Sequence, residues 1–195
     1  MNDQQAGWLL LAGPVLGLIP VAHPALLRIW SMPRDTFLIT VANHRRAWSW
    51  LNAGFGLASI TTTAGLFALT QSQAFGNTAL LACAAGYAIG ATLWSAVLAI
   101  RNRTTPLLAD LGTDSVPGQL LEAATTALFQ AFALITASSL AGLGAVLLVS
   151  GAATAWAALV TLLTGVVAIA WLLRTGDIIP AVLYVPTMLL GATLL

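Results

Sequence analysis

Every basic residue of this chain stands at the end of a long apolar run. The seven are Arg28, Arg34, Arg45, Arg46, Arg101, Arg103 and Arg174, and lysine is absent. Between them lie apolar stretches of about 18 to 30 residues, enough to cross a hydrocarbon core of roughly 30 Å as helix. A soluble domain carries about a quarter of its residues charged, whereas here 7% are. Seven basic and six acidic side chains cannot cover the surface of a 195-residue soluble fold. Inside a bilayer each backbone N–H and C=O has to be bonded within the protein, so spans of this length are helices. The chain therefore reads as an all-α, polytopic membrane bundle, a single transmembrane domain over residues 1–195 with no extramembrane domain.

Six spans are expected. The first covers residues 7–30, with Trp8 and Trp30 as interfacial anchors and Pro14, Pro20 and Pro24 bending it. A basic connection, 31–47, follows. Asp35 is expected to cap a short interfacial helix there, whose Phe37, Leu38 and Val41 dip into lipid while His44, Arg45 and Arg46 meet headgroups. The second span runs over 48–70, and a polar turn at 71–77 leads to the third, 78–100, which stops at Arg101 and Arg103. After the longest connection, 101–118, the fourth helix starts near Pro117 and reaches Ser150, longer than the membrane is thick. Gly151 turns the chain into the fifth span, 155–173. Arg174, Gly176 and Asp177 end that helix and start the next. The sixth segment, 178–195, holds Pro180 and Pro186 and is short: either a sixth span or a re-entrant segment.

Charge then orients the bundle. With six spans, the positive-inside rule places the connections 31–47, 101–118 and 174–177 in the cytoplasm and both termini outside, and all seven arginines agree. This fits a bacterial inner membrane. Residues 1–6 carry Asp3 and no basic residue, so the first run is read as a retained span rather than a signal peptide.

Polar residues inside the spans are the candidates for a site. On the second span Asn52, Gly56, Ser59 and Thr63 share one face. Glu122, Thr126, Gln130, Ala133, Ala137, Ala141 and Gly144 share a face of the fourth, opposite Leu128, Phe132 and Ile135. Both stripes should face the bundle interior, either as close helix packing through small residues or as a ligand site or pathway. Glu122 is the acidic residue that sits nearest a membrane interior. It lies in the bundle beside Gln130, or at the interface paired with an arginine such as Arg101 or Arg103. Gly86 and Gly90 form a GxxxG pair on the third span, a common packing motif.

His23 lies in the bent part of the first span and His44 beside Arg45 and Arg46. Haem ligation through His23 or His44 is a minor alternative, since neither belongs to a His or Cys–His cluster. No cofactor or metal is expected. Cys83, the single cysteine, sits in an apolar run and excludes an intramolecular disulfide. Lysine chemistry is absent with the residue, and HExxH, GxSxG and phosphate-binding loops are missing. The net charge of +1 offers no basic stripe for nucleic acid.

The function expected is that of a small membrane protein without a catalytic centre. It serves as an accessory or scaffold subunit of a membrane assembly, or binds an apolar ligand between helices. Its partners are the bilayer and, on this reading, other membrane subunits or further copies of itself. The alternative is a small transporter or channel with a polar path along Asn52, Ser59, Thr63, Glu122, Thr126 and Gln130; a weaker one is a membrane enzyme or haem protein using His23.

Overall fold

The structure, a computed structural model, describes residues 3–24, 26–29, 32–71, 78–111 and 115–195. Trp30, Asp114 and most of the polar turn before Thr78 lie outside the described residues. Among the described residues there are seven α-helices: α1 Asp3–Val21, α2 Arg34–Asn43, α3 Arg45–Thr70, α4 Thr78–Leu111, α5 Val116–Ser150, α6 Ala155–Thr175 and α7 Val185–Thr193. A 3-10 helix, Pro180–Tyr184, precedes α7. Five helices, α1 and α3 to α6, are long and apolar enough to cross a membrane, and Pro180–Thr193 is a shorter apolar helical stretch. The outward surface matches: Trp50, Ile60, Val167 and Leu173 are each more than half exposed. The protein is a polytopic, all-α membrane bundle.

The helices form a ring. α1 packs on α3, α3 on α4, α4 on α5, α5 on α6, α6 on α7, and α7 returns to α1. Small residues make these approaches close. A Cβ on Gly17 would touch the Ala58 Cβ at 3.1 Å, and one on Gly65 would lie 2.9 Å from Leu10. Gly86 and Gly90 on α4 receive the Ser139 and Thr136 side chains of α5, so the GxxxG pair packs within the chain. The Thr136 hydroxyl is buried without a hydrogen-bond partner among the described residues. A weak Cα–H···O contact to Gly90 is the interaction its position allows.

Aromatic rings fill the centre. Trp94 of α4 stacks on Phe132 of α5 at 4.8 Å between centroids, with Phe129 at 5.7 Å and Phe55 of α3 at 6.1 Å. Tyr184, from the 3-10 helix, stacks on Phe55 at 6.4 Å and shares a 2.7 Å hydrogen bond with Ser59. Phe132, which the sequence left open as interior or lipid-facing packing, is buried. The reason is that α5 is clasped between two neighbours. Its aromatic face meets α4, while Ala137 and Gly144 meet α6, where a Cβ on Gly165 would come within 2.5 Å of the Ala137 carbonyl oxygen.

Several boundaries differ from the sequence reading. The first helix ends at Val21 rather than continuing to residue 30. Pro24 has no N–H and disfavours helix at His23, and the chain continues in turns in which Leu26 and Ile29 bond to His23 and Leu26 carbonyls. Asp35 is not a cap: α2 starts from Pro33, without a side-chain cap hydrogen bond. Leu38 and Val41 are buried in protein, because α2 lies across α4. The third span does not stop at Arg101, as α4 continues through Arg103 and Pro106 to Leu111. Its buried face runs on through Leu98, Thr105 and Leu108, which gives those extra turns something to pack against.

Other boundaries agree. Ser115 caps α5 by accepting from the Gly118 N–H at 3.3 Å, with a proline in its first turn. Gly151 and Gly176 end α5 and α6 at φ 64° and 73°, a conformation that disfavours a Cβ. Asp177 does not cap a helix directly, yet its carboxylate accepts from the Ile178 N–H at 2.8 Å as the chain turns back toward the bundle.

Candidate functional site

The ends of α4 and α5, with α2 packed on α4, border a partly open cavity of about 310 Å³. The helix ends around it are tied together. Trp48 Nε1 on α3 donates to the Arg101 carbonyl on α4 at 3.2 Å. Ser49 Oγ lies 2.8 Å from Asn102 Oδ1, and Arg45 pairs with Asp110 at 3.6 Å. At the same end Gln130 Nε2 of α5 donates to the Gly176 carbonyl at 2.9 Å. The fold thus gathers the arginine-bearing ends of α3, α4 and α6 and the start of α5 on one side of the ring.

The lining has two characters. Arg34 of α2, Arg101, Thr104 and Thr105 of α4, and Glu122, Thr125 and Thr126 of α5 supply the polar wall. Ile29, Met32, Phe37, Trp48, Leu108 and Leu121 supply the apolar one. Arg34 Nη2 and Glu122 Oε1 are 2.6 Å apart, an ion pair with both side chains roughly half exposed (45% and 46%). The guanidinium carbons of Arg34 and Arg101 lie 5.6 Å and 5.5 Å from the ring centres of Phe37 and Phe129, within cation–π range. Phe37 in turn meets Trp48 edge-on at 5.8 Å. The threonines on α4 and α5 bond locally: Thr104 donates to the Ile100 carbonyl at 3.0 Å and Thr125 to that of Leu121 at 2.9 Å. A hydroxyl that donates one such bond keeps lone pairs as an acceptor.

Of the residues singled out from sequence, Glu122 and Thr126 line this cavity. Glu122 meets an arginine, but from α2 rather than from the neighbouring end of α4. Gln130 faces outward and serves the end of α6. Asn52, Ser59 and Thr63 sit elsewhere. Asn52 donates to the Trp48 carbonyl at 2.7 Å, Ser59 bonds Phe55 and Tyr184, and Thr63 donates to the Ser59 carbonyl at 2.7 Å. α4 lies between α3 and α5, so the two polar stripes do not face one another across a seam. Gly56, placed on the same stripe, has open space where a Cβ would go.

His23 and His44, distant in sequence, line a second, open cavity of about 430 Å³ with Arg45 and Arg46. Among the described residues no three His, Cys, Asp or Glu side chains are grouped so as to hold a metal ion.

Sequence reasoning missed Arg34, Trp48, Thr105 and Thr125 as lining residues. A signal was present. Leu98, Arg101, Thr105 and Leu108 recur at helical spacing, so the buried face of the third span continues past its first arginine. Compared with known proteins, the chain matches no family model, no curated protein and no solved structure.

Proposed function

We propose that this chain is a membrane-embedded binding protein without a catalytic centre, holding an amphipathic small molecule in the cavity between α2, α3, α4 and α5. The observation that carries the reading is the mixed lining: the charges and hydroxyls of Arg34, Arg101, Thr105 and Glu122 share one cavity with Phe37, Trp48 and Leu108. Ligand pockets are mostly apolar with a few placed polar groups and occupy roughly 300–1,000 Å³, and this cavity falls at the small end of that range. The site sits among the arginine-bearing helix ends, where a bilayer changes from hydrocarbon to headgroup. An amphiphile meets both environments there.

The same reading includes a topology. Six crossings, both termini outside and the arginine-bearing end in the cytoplasm of a bacterial inner membrane satisfy the charge rule for all seven arginines. The segment from Asp177 to Thr193 supplies the sixth crossing. Extended and 3-10 backbone rises ~3.3 and ~2.0 Å per residue, more than an α-helix, so this proline-broken segment reaches further than its length suggests.

Native mass spectrometry of the protein released from mild detergent tests the ligand. A retained adduct of amphiphile mass is expected on the wild type and should be lost in Thr126→Trp, which fills the cavity from an exposed helix face. Absence of any adduct, or one unaffected by that substitution in a folded protein, removes the reading.

A further inference from the structure

The ligand's headgroup follows from the charges in the cavity, an inference that rests on the amphiphile reading. Arg34 and Glu122 neutralise one another at 2.6 Å. Arg101 is different: it is partly buried, its guanidinium lies over Phe129, and it forms no ion pair with a described carboxylate. From longer range Asp177 attracts it, Arg34 repels it and Glu122 attracts it. A cation drawn out of water calls for a counter-charge and hydrogen-bond acceptors close by. The charged residues of the described lining, Arg34, Arg101 and Glu122, sum to one positive charge, and Arg101 is the one without a direct ion pair.

We infer that Arg101 seats a monoanionic headgroup, a carboxylate or a phosphodiester, of an amphiphile whose carbon chain lies along Phe37, Trp48 and Leu108. One negative charge balances the cavity; two would set excess charge beside Glu122. The planar guanidinium fork matches either oxyanion with two parallel N–H···O bonds. Thr105, on the next turn of α4, adds a buried hydroxyl on the same side. Phe129 holds the guanidinium from behind, so its orientation is set before a ligand arrives.

The experiment compares binding of four probes to the purified protein in non-ionic detergent near pH 8, where a phosphate monoester is a dianion. The probes are dodecanoate, lysophosphatidylglycerol, dodecyl phosphate and dodecanol. One or both monoanions should bind about tenfold or more tighter than dodecanol, as a charge-assisted pair warrants. The stronger of the two identifies the source, fatty acid or phospholipid. Arg101→Gln should erase that preference, and Arg101→Lys should restore part of it. Equal binding of dodecanol and both monoanions, or tightest binding of dodecyl phosphate, overturns the monoanion inference and leaves the amphiphile reading standing. Failure of all four to bind, or binding insensitive to Thr126→Trp, removes both. The wild-type panel needs no variant, so a misfolded Arg101→Gln would not spare the inference.

Discussion

Gly165→Ala asks whether the α5–α6 seam is as tight as its glycines imply. The added Cβ would stand 2.5 Å from the Ala137 carbonyl oxygen, 2.5 Å from the Ala141 nitrogen and 2.8 Å from the Ala141 Cβ. Ordinary contacts between such atoms lie near 3.5 Å, so α6 has to retreat by about 1 Å. Two of the three obstacles are backbone, which cannot rotate away. Overpacking of this kind costs ~1–3 kcal/mol. A gap of 0.5–1 Å also forfeits a quarter to a half of each pairwise attraction along the seam, about 1 kcal/mol over some twenty atom pairs. Against this, alanine is a better helix former than glycine by ~1 kcal/mol. The net loss is about 2 kcal/mol. Gly56→Ala is the matched control, because nothing lies within 4 Å of its new Cβ. There the helix gain acts alone and stability should rise by up to ~1 kcal/mol. Thermal unfolding in mild detergent, followed by circular dichroism, should move the two variants in opposite directions. A Gly165→Ala protein as stable as Gly56→Ala would refute the close approach of α5 and α6.

Ser59→Ala and Tyr184→Phe should each cost ~0.5–1.5 kcal/mol, and the double variant less than their sum, since both remove the same buried hydrogen bond; a denaturation-based mutant cycle measures the coupling. Trp94→Ala removes the ring at the centre of the aromatic cluster and should cost about 3–5 kcal/mol in the same assay. Glu122→Gln should change stability by no more than ~1 kcal/mol, because its ion pair with Arg34 is half exposed and screened. For topology, single cysteines at positions 3, 110 and 152 in a Cys83→Ser background should react with an impermeant thiol reagent added outside at 3 and 152 but not at 110; labelling at 110 from outside reverses the orientation.

Long apolar runs separated by polar punctuation made most helices legible. Ser115 with Pro117, and the two C-terminal glycines, set helix ends that the sequence announces by chemistry. What was lost came from reading arginine as a membrane edge and therefore as a helix end. Arg101 marks the edge of the apolar run, yet the backbone has no reason to stop there while Thr105 and Leu108 are still buried and α2 packs on α4. The cavity forms in that overhang, so its lining was mostly invisible from the spans. Glu122 was singled out because an acidic residue near lipid is conspicuous, and it lines the cavity. Its partner was not, because α2 contributes Arg34 from a connection whose placement only the folded chain decides. The polar stripes misled in a third way. Periodicity says which residues share a face but not which neighbour that face meets, and α4 stands between the two stripes.

The closure of the ring by α7 has a consequence for how the protein comes into being. α1 is made before α3 and meets it early, but its other flank, with Gly7 against Gly191 and Leu194, is matched by residues made after α3 to α6. Throughout synthesis that flank faces lipid or a helper. Only when Tyr184 reaches Ser59 and the residues behind it slide beside α1 does the circle shut. A chain interrupted within the last two turns of α7 would be inserted, helical and open, a species for the quality-control proteases of the membrane to recognise by its unmatched glycines.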